Sequence, residues 1–410
     1  MRLLFAVHQF FPTWYTGTER LALNISKQMQ RMGHSVTILT YEPGEAGGFE
    51  PDGDSLTKRY EYQGVPVIAV RHQRPPTEVA FSISDREMQR VTGSIIAEGR
   101  FDVVHIFHPM RIGMIAKVAS RRRIPFVLTL TDFWLMCPKG IGVTQKGEVC
   151  LSSEGGERCV RECYGDAWRE RLERRFAETR ELLNTAGCVV SATNSLRQVF
   201  ELNGPISGIQ LIPYGVDYAD VKPNAKRYSR ESEITLGFLS TLQPHKGPHV
   251  LLQAYNMAGK GNIALKIFGS HFGRADYYRT LHSLAGNHSK IEFCGEYTYE
   301  DMPRIYNEID VLVVPSTWWE NSPLVLTRAL AHNVPAIVSN LGGMTEMVKD
   351  NENGFTFEVS EPESLAQVLK RIGDDPGILN QLKERIRRPP RIEEHAFEYE
   401  KIYRSLSQEN

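Results

Sequence analysis

No stretch of the 410-residue sequence holds the run of about 20 apolar residues that a membrane-spanning helix needs. The opening MRLLFAVHQFFP is too short and too interrupted for a secretion signal. Excess charge is also missing. The 48 Lys and Arg are balanced by 49 Asp and Glu, so no net field draws the chain to nucleic acid or to an anionic bilayer. A soluble cytoplasmic protein without a nucleic-acid partner is expected, with peripheral membrane contact left open as a route to a membrane-bound acceptor. Internal repeats and low-complexity tracts are absent. Cysteine is scarce, and four of the six, Cys137, Cys150, Cys159 and Cys163, are gathered in one stretch. Cys188 and Cys294 lie in apolar runs as buried thiols. The cluster lacks the close C-x2-C spacing of zinc knuckles. A structural zinc site is one reading of it; reduced thiols or a disulfide are the others.

What is present is an alternation. The runs RLLFAV (2–7), SVTILT (35–40), PVIAV (66–70), DVVHIF (102–107), PFVLTL (125–130) and CVVSA (188–192) are short and β-branched, and read as buried strands. Helical patterns separate several of them, as in the stretch where Leu21, Ile25, Met29 and Met32 keep helical spacing and Gly33 follows. The alternation begins again with ITLGFLS (234–240), IALKIFG (263–269), KIEFCG (290–295), DVLVVPS (310–316) and PAIVSN (335–340). Strands alternating with helices give parallel sheets. At this length, two doubly wound α/β domains are expected, over 1–212 and 213–390, with a helix within 391–410 returning to the first. Residues 41–61 read as an exposed loop, and DAWRERLERRFAETRELL (166–183) as a salt-bridged surface helix whose arginines, Arg175 among them, are matched by its own acids.

Ligands of open parallel sheets bind beyond the carboxyl ends of the strands, so the strand-to-helix loops carry the argument. In the first, Gly17 precedes Thr18 and Glu19 at a helix start, which serves either a close ligand approach or a plain turn. After strand 234–240, Lys246 and Gly247 stand before Pro248, a first-turn residue; the lysine is a clamp for a diphosphate or a solvated surface charge. After strand 310–316, Glu320 precedes Ser322, a candidate N-cap, and Pro323. The Glu320 carboxylate can accept from two sugar hydroxyls, or it is a charge near a helix dipole. Gly269 and the Gly342-Gly343 pair mark further turns on the same edge.

In order and spacing, Gly17-Thr18-Glu19, MGHSVTILT, IPYGVD, PHKG, PSTWWENSPLVL and VPAIVSNLGGMTEMVKDNENGFTF together resemble the retaining glycosyltransferases of family 4, over nearly the whole chain. The resemblance implies the GT-B fold, two facing Rossmann-like domains with an interdomain cleft. It implies transfer of a sugar from an activated, nucleotide-sugar donor to an acceptor in glycan or glycoconjugate assembly. The acceptor would be a sugar, lipid-linked or small molecule, and no cofactor is needed for the chemistry. A nucleotide-sugar epimerase or hydrolase, or a degenerate sugar-nucleotide binder, is the alternative.

By the same resemblance Lys246 binds the donor diphosphate, Glu320 contacts the transferred sugar, and Asn321, Ser322, Pro323 and Leu324 cradle hydroxyls and phosphate. Gly17 and Gly269 belong to the donor site as well. Three positions depart from the family pattern. Arg328 stands where a second Glu grips the ribose, and can donate but not accept. Thr241 replaces an Arg before the Lys, and Thr131 replaces the His of an HD pair whose Asp is Asp132. Lys246, Glu320 and Asp132 are the expected catalytic set; Asp132 orients an acceptor or the reacting sugar, or caps the chain before Phe133-Trp134.

Overall fold

The computed structural model describes residues 1–408 except 45, 46, 205, 207, 260 and 272. It divides into two compact units, Met1–Pro213 together with the segment from Ile392, and Tyr214–Arg391. In chain order the strands of the first unit are β1 (Arg2–Val7), β2 (Ser35–Tyr41), β3 (Glu50–Asp52), β4 (Ser55–Tyr62), β5 (Val65–His72), β6 (Val103–Ile106), β7 (Phe126–Leu130), β8 (Cys188–Ser191) and β9 (Gln210–Leu211). Those of the second are β10 (Ile234–Leu239), β11 (Ile263–Phe268), β12 (Ile291–Gly295), β13 (Val311–Val314), β14 (Ala336–Ser339) and β15 (Gly354–Phe357).

The first sheet runs β3-β4-β5-β2-β1-β6-β7-β8-β9 and the second β12-β11-β10-β13-β14-β15. All pairings are parallel except β3–β4 and β4–β5. The central strands are apolar on both faces because helices cover both; β6 and β7 are buried at every position. In each sheet the strand order reverses about the strand that opens its α/β pattern. In the first, β1 lies between β2 and β6. In the second, β10 lies between β11 and β13. Neighbouring connections there leave on opposite faces and open a crevice at the carboxyl ends.

Two expectations are corrected. Residues 41–61 are no loop: they include β3 and most of β4, which form an antiparallel extension on β5. Gly53 turns the β3–β4 hairpin in the left-handed region, as a two-residue hairpin turn demands. The charged alternation of TKRYEY is the pattern of an edge strand rather than of a loop. β9 and β15 are likewise strands that apolar runs do not announce.

The charged helix is also different. Its regular part is Arg169–Thr185, and its ion pairs mostly leave the helix, Arg171 to Glu78 and Glu181 to Lys117. Arg175 is buried, donating to the carbonyl oxygens of Phe81, Trp134 and Leu135.

The helix Ile392–Gln408 closes the first unit. Glu400 bonds His34 Nε2 at 3.0 Å, Tyr399 meets Thr129 Oγ1 at 2.9 Å, and Tyr403 reaches His105 Nδ1 at 2.5 Å. Tyr399 and Tyr403 are fully buried.

Candidate active site

In the second unit, the loops after β10 and β13 flank the point where strand order reverses. The β10 loop turns through Pro244–Lys246 into the helix Pro248–Ala258. The β13 loop runs to the helix Leu324–Ala331. They are tied by the Thr317 amide, which donates to His245 O at 2.9 Å. Gly247, at φ +71°, is where backbone meets backbone: a Cβ there would stand 1.8 Å from Pro315 O. Gly269, after β11, is equally constrained, since its Cβ would stand 1.8 Å from Ser240 O. Any other residue at either position would force the loops apart.

That packing brings Lys246 Nζ to 2.7 Å from Glu320 Oε1. Ser316 Oγ and Trp318 Nε1 donate to the same oxygen at 2.8 and 2.7 Å. Three donors thus converge on Oε1, while Oε2 accepts from none of them. Burial pushes the Glu320 carboxyl up, but Lys246, Ser316 and Trp318 outweigh it and hold the group below its ordinary value. It is a carboxylate at neutral pH. The lysine lies 4.5 Å from the Trp318 ring centroid and spends one N–H direction on Glu320, leaving two for an anion. Burial first, then Lys246, drive neighbouring His245 down to about 4, so that imidazole is neutral. Two more buried polar atoms nearby, His271 Nδ1 on the loop after β11 and Trp319 Nε1 on the β13 loop, have no hydrogen-bond partner among the described residues. Buried polar groups normally find partners, and such exceptions collect where ligands bind.

The other expected residues of this unit are placed around that pair. Asn321 is buried and reaches Tyr214 Oη at 3.5 Å. Ser322 is not the N-cap: the helix begins at Leu324 with Pro323 in the cap position, and Ser322 Oγ points to Met347 Sδ at 3.8 Å. The cause is local, because the extended backbone of Pro323 (ψ 120°) delays the first helical turn. Leu324 is the first residue of that helix. Thr241 lies between β10 and the lysine, its carbonyl accepting from the Gln243 amide at 2.9 Å.

Arg328 is 3 % exposed. Its Nη2 meets both oxygens of Asp220, at 3.1 and 3.0 Å, its Nη1 donates to the Tyr299 hydroxyl, and its guanidinium carbon sits 4.3 Å from that ring's centroid. Its Nε is buried with no hydrogen-bond partner among the described residues. The charge at 328 is already matched by a carboxylate 108 positions away.

In the first unit the corresponding edge carries histidines. His8 follows β1 and His108 follows β6; their rings lie against each other with centroids 4.1 Å apart and planes tilted by 37°. His108 Nε2 bonds Asp132 Oδ2 at 2.9 Å, and the Met110 amide donates to His108 Nδ1 at 3.2 Å, which fixes the Nε2–H tautomer. Asp132 Oδ1 accepts from the Trp134 amide at 2.8 Å. Thr131 donates instead to Phe107 O at 3.1 Å. Gly17 opens the helix Gly17–Arg31. Two residues on, Glu19 is fully buried, with Oε2 accepting from Thr16 Oγ1 at 2.5 Å and Oε1 3.6 Å from His8 Nε2.

Burial raises the Glu19 carboxyl against several hydrogen bonds, and lowers His8 strongly, with His108 and Arg111 adding to the effect. Arg111, in the left-handed region at φ +68°, reaches His8 O at 3.4 Å and forms no ion pair with a carboxylate among the described residues. Sequence reasoning passed over His8, His108, Arg111, Ser316, Trp318 and Asp220. The two histidines had a signal, since each lies within two residues of a parallel strand's carboxyl end.

Both sites have the position, though not the residues, of dinucleotide-fold crevices, which defines a Rossmann-like protein. The comparisons make this specific. The glycosyl transferases group 1 family model matches residues 222–388, and the glycosyl transferase 4-like domain model matches 16–215. An Escherichia coli enzyme, UDP-Gal:alpha-D-GlcNAc-diphosphoundecaprenol alpha-1,3-galactosyltransferase, is 37% identical over 322 residues, 72% of this chain and 71% of that one. Spore coat protein SA of Bacillus subtilis is 26% identical over 71% of this chain and 73% of its own. Among solved structures, sucrose-phosphate synthase from Thermosynechococcus elongatus superposes over both whole chains with a TM-score of 0.75 at 18% identity. Anabaena HepE in complex with UDP and glucose does so over 99% of this chain and 100% of its own, at 0.70 and 17%. The chain belongs to the glycosyl transferases group 1 family and is a glycosyltransferase of the GT-B fold.

Proposed function

We propose that this chain transfers a hexose, with retention of configuration, from a uridine diphosphate sugar to a sugar already linked to a lipid diphosphate, in the cytoplasm, during glycan assembly. The observation that carries the proposal is the Lys246–Glu320 pair at the strand-order reversal, with Lys246, Ser316 and Trp318 all donating to Glu320 Oε1 and none of the three to Oε2. The donor and acceptor named for the Escherichia coli relative support the donor and the acceptor class. Lys246 then binds diphosphate oxygens and Glu320 Oε2 accepts from hydroxyls of the transferred sugar. Arg274, within charge reach of His245, is the second cation for the diphosphate in place of the arginine that Thr241 replaces.

As the bond from the anomeric carbon to the leaving phosphate breaks, the acceptor oxygen bonds that carbon from the same face. The acceptor's proton passes to the departing diphosphate oxygen. The chain contributes position and positive charge where negative charge develops. In the N-terminal unit, Asp132, its Oδ2 held by His108, orients an acceptor hydroxyl.

The test is a panel of nucleoside diphosphate sugars offered with and without a synthetic lipid-diphosphate N-acetylglucosamine. We expect acceptor-dependent product, α-linked by NMR. A β-linked product would sink the retaining assignment. Conversion of the donor without acceptor would mean an epimerase or hydrolase, and the absence of both binding and product would mean a different ligand altogether.

A further inference from the structure

Glycosyl transfer leaves one part of the first unit unexplained. Between β7 and the helix Arg169–Thr185 the chain makes only short helical turns, Glu154–Gly156, Glu157–Cys159, Val160–Tyr164 and Asp166–Trp168, and a single bridge, Val143 to Val149. Its buried apolar cluster is small: Cys159, Val160, Leu172 and Phe176, with Phe81, Tyr164 and Trp168 at the border. Phe133, Trp134, Leu135 and Met136 anchor its start in the interior, but beyond them a segment this long and irregular has little regular structure to brace it.

Two observations meet there. Cys137, Cys150, Cys159 and Cys163 are free thiols that line one and the same small pocket. Cys159 and Cys163 are four residues apart across two consecutive helical turns, so their side chains share a face. The second observation is Arg175. This guanidinium is 1% exposed and donates only to backbone carbonyls, with no carboxylate ion pair among the described residues. Besides those carbonyls it meets the ring faces of Phe81, Trp134 and Phe176, the nearest centroid 4.4 Å away, but a buried guanidinium without a paired anion is still costly. Cys137, Tyr164, Cys159 and Glu178 are within charge reach of it.

We propose that Cys137, Cys150, Cys159 and Cys163 together bind one zinc ion as thiolates, and that this ion braces residues 131–168 with Arg175 as its counter-charge. Four thiolates satisfy tetrahedral zinc and leave the cluster net negative, which is the charge a buried guanidinium needs. Binding forms four Zn–S bonds, sends the four thiol protons to solvent, and involves no oxidation. As they stand, no group of three or more His, Cys, Asp or Glu among the described residues is arranged to hold an ion. The four thiols must therefore draw together when the ion binds. The consequence reaches the acceptor side, because Asp132 begins this segment and Arg175 holds the carbonyls of Trp134 and Leu135 just beyond it.

The test uses the full chain, purified from zinc-supplemented cells under reducing conditions without chelator. We expect about one zinc per chain by elemental analysis, released by a mercurial in step with the exposure of four thiols. Cys150→Ser should lose the metal and melt at lower temperature. Because that variant can fail to fold, the wild-type chain loaded with cobalt is a second readout, with the intense visible bands of tetrahedral thiolate coordination expected. Four thiols that titrate freely in a zinc-free chain would overturn the proposal. So would a disulfide among the four in freshly lysed cells, or an octahedral cobalt spectrum.

Discussion

The two sheets carry polar sites at equivalent places, one beside β10 and one beside β1, and they are built on opposite principles. At β10 the charges cancel: a lysine and a glutamate are in contact, the carboxyl is held ionised, and the neighbouring histidine is neutral. At β1 two tilted histidine rings are in contact, one bonded to a partly exposed aspartate and the other near a fully buried glutamate, and Arg111 has no paired carboxylate among the described residues. The first arrangement suits a ligand that brings its own fixed charge, since a diphosphate needs cations whatever the pH. The second suits a ligand with hydroxyl groups, where a proton must be pointed and held. One fold, used twice, thus separates charge binding from hydrogen-bond orientation.

The largest effect that would break this contrast is at Lys246. Replacing it by alanine removes the diphosphate contact and leaves Glu320 buried and unpaired. Donor affinity should fall about 100-fold, roughly 3 kcal/mol, by calorimetry. A donor that binds Lys246→Ala as tightly as wild type would remove the charge-binding role from this site.

A smaller effect separates function from support at Arg328. Asp220→Ala strands a buried guanidinium beside Tyr299 and should lower stability by about 2 kcal/mol in urea unfolding, discounted because Asp220 is partly solvated. Arg328→Met should cost less, because the aspartate it leaves behind can turn to water. Donor affinity should stay near the wild-type value in both. A shifted nucleotide preference in Arg328→Met would return the arginine to the donor site.

The smallest effect is in pH. Donor binding should be flat between about pH 7.5 and 5.5, because Glu320 is held below the ordinary carboxyl range and His245 near 4. Stability should not be flat. Burial lowers His8, His105 and His395, the last to about 4. Below the ordinary histidine value of 6.5 the unfolded chain takes up protons that the folded one refuses. Stability contributed by these neutral histidines is full above that pH and is lost as pH falls, by up to about 1.4 kcal/mol per pH unit for each. A melting temperature unchanged between neutral and mildly acid solution would contradict their burial.

The β-branched runs and the glycines beside them made the two sheets and the carboxyl-edge loops legible, because strand period and turn chemistry are local properties. Lys246 and Glu320 were legible for the same reason: each is the charged residue of its own loop. Their meeting was not, nor was the convergence of Ser316 and Trp318 on one carboxylate oxygen. Arg328 shows the limit most clearly. A seven-residue gap after Glu320 identifies the position, but Asp220, which accounts for it, belongs to a segment before β10. Arg175 failed differently, since its partners are backbone carbonyls, which every sequence contains and none displays. The β3–β4 hairpin was missed because an edge strand exposed on one side carries the composition of a loop.

One feature of connectivity sets the order in which this protein can come into being. The first unit takes Ile392–Gln408 as its last helix, and Tyr399 and Tyr403 from that helix fill its interior. The second unit is encoded entirely between them. On a translating ribosome, then, the later unit has its whole sequence and can fold first, while the earlier waits with the chamber for two tyrosines open. Its His34, His105 and Thr129 meet their partners only after the chain has grown by some 270 to 366 further residues. The amino-terminal half of this enzyme is the first to be made and the last to be finished.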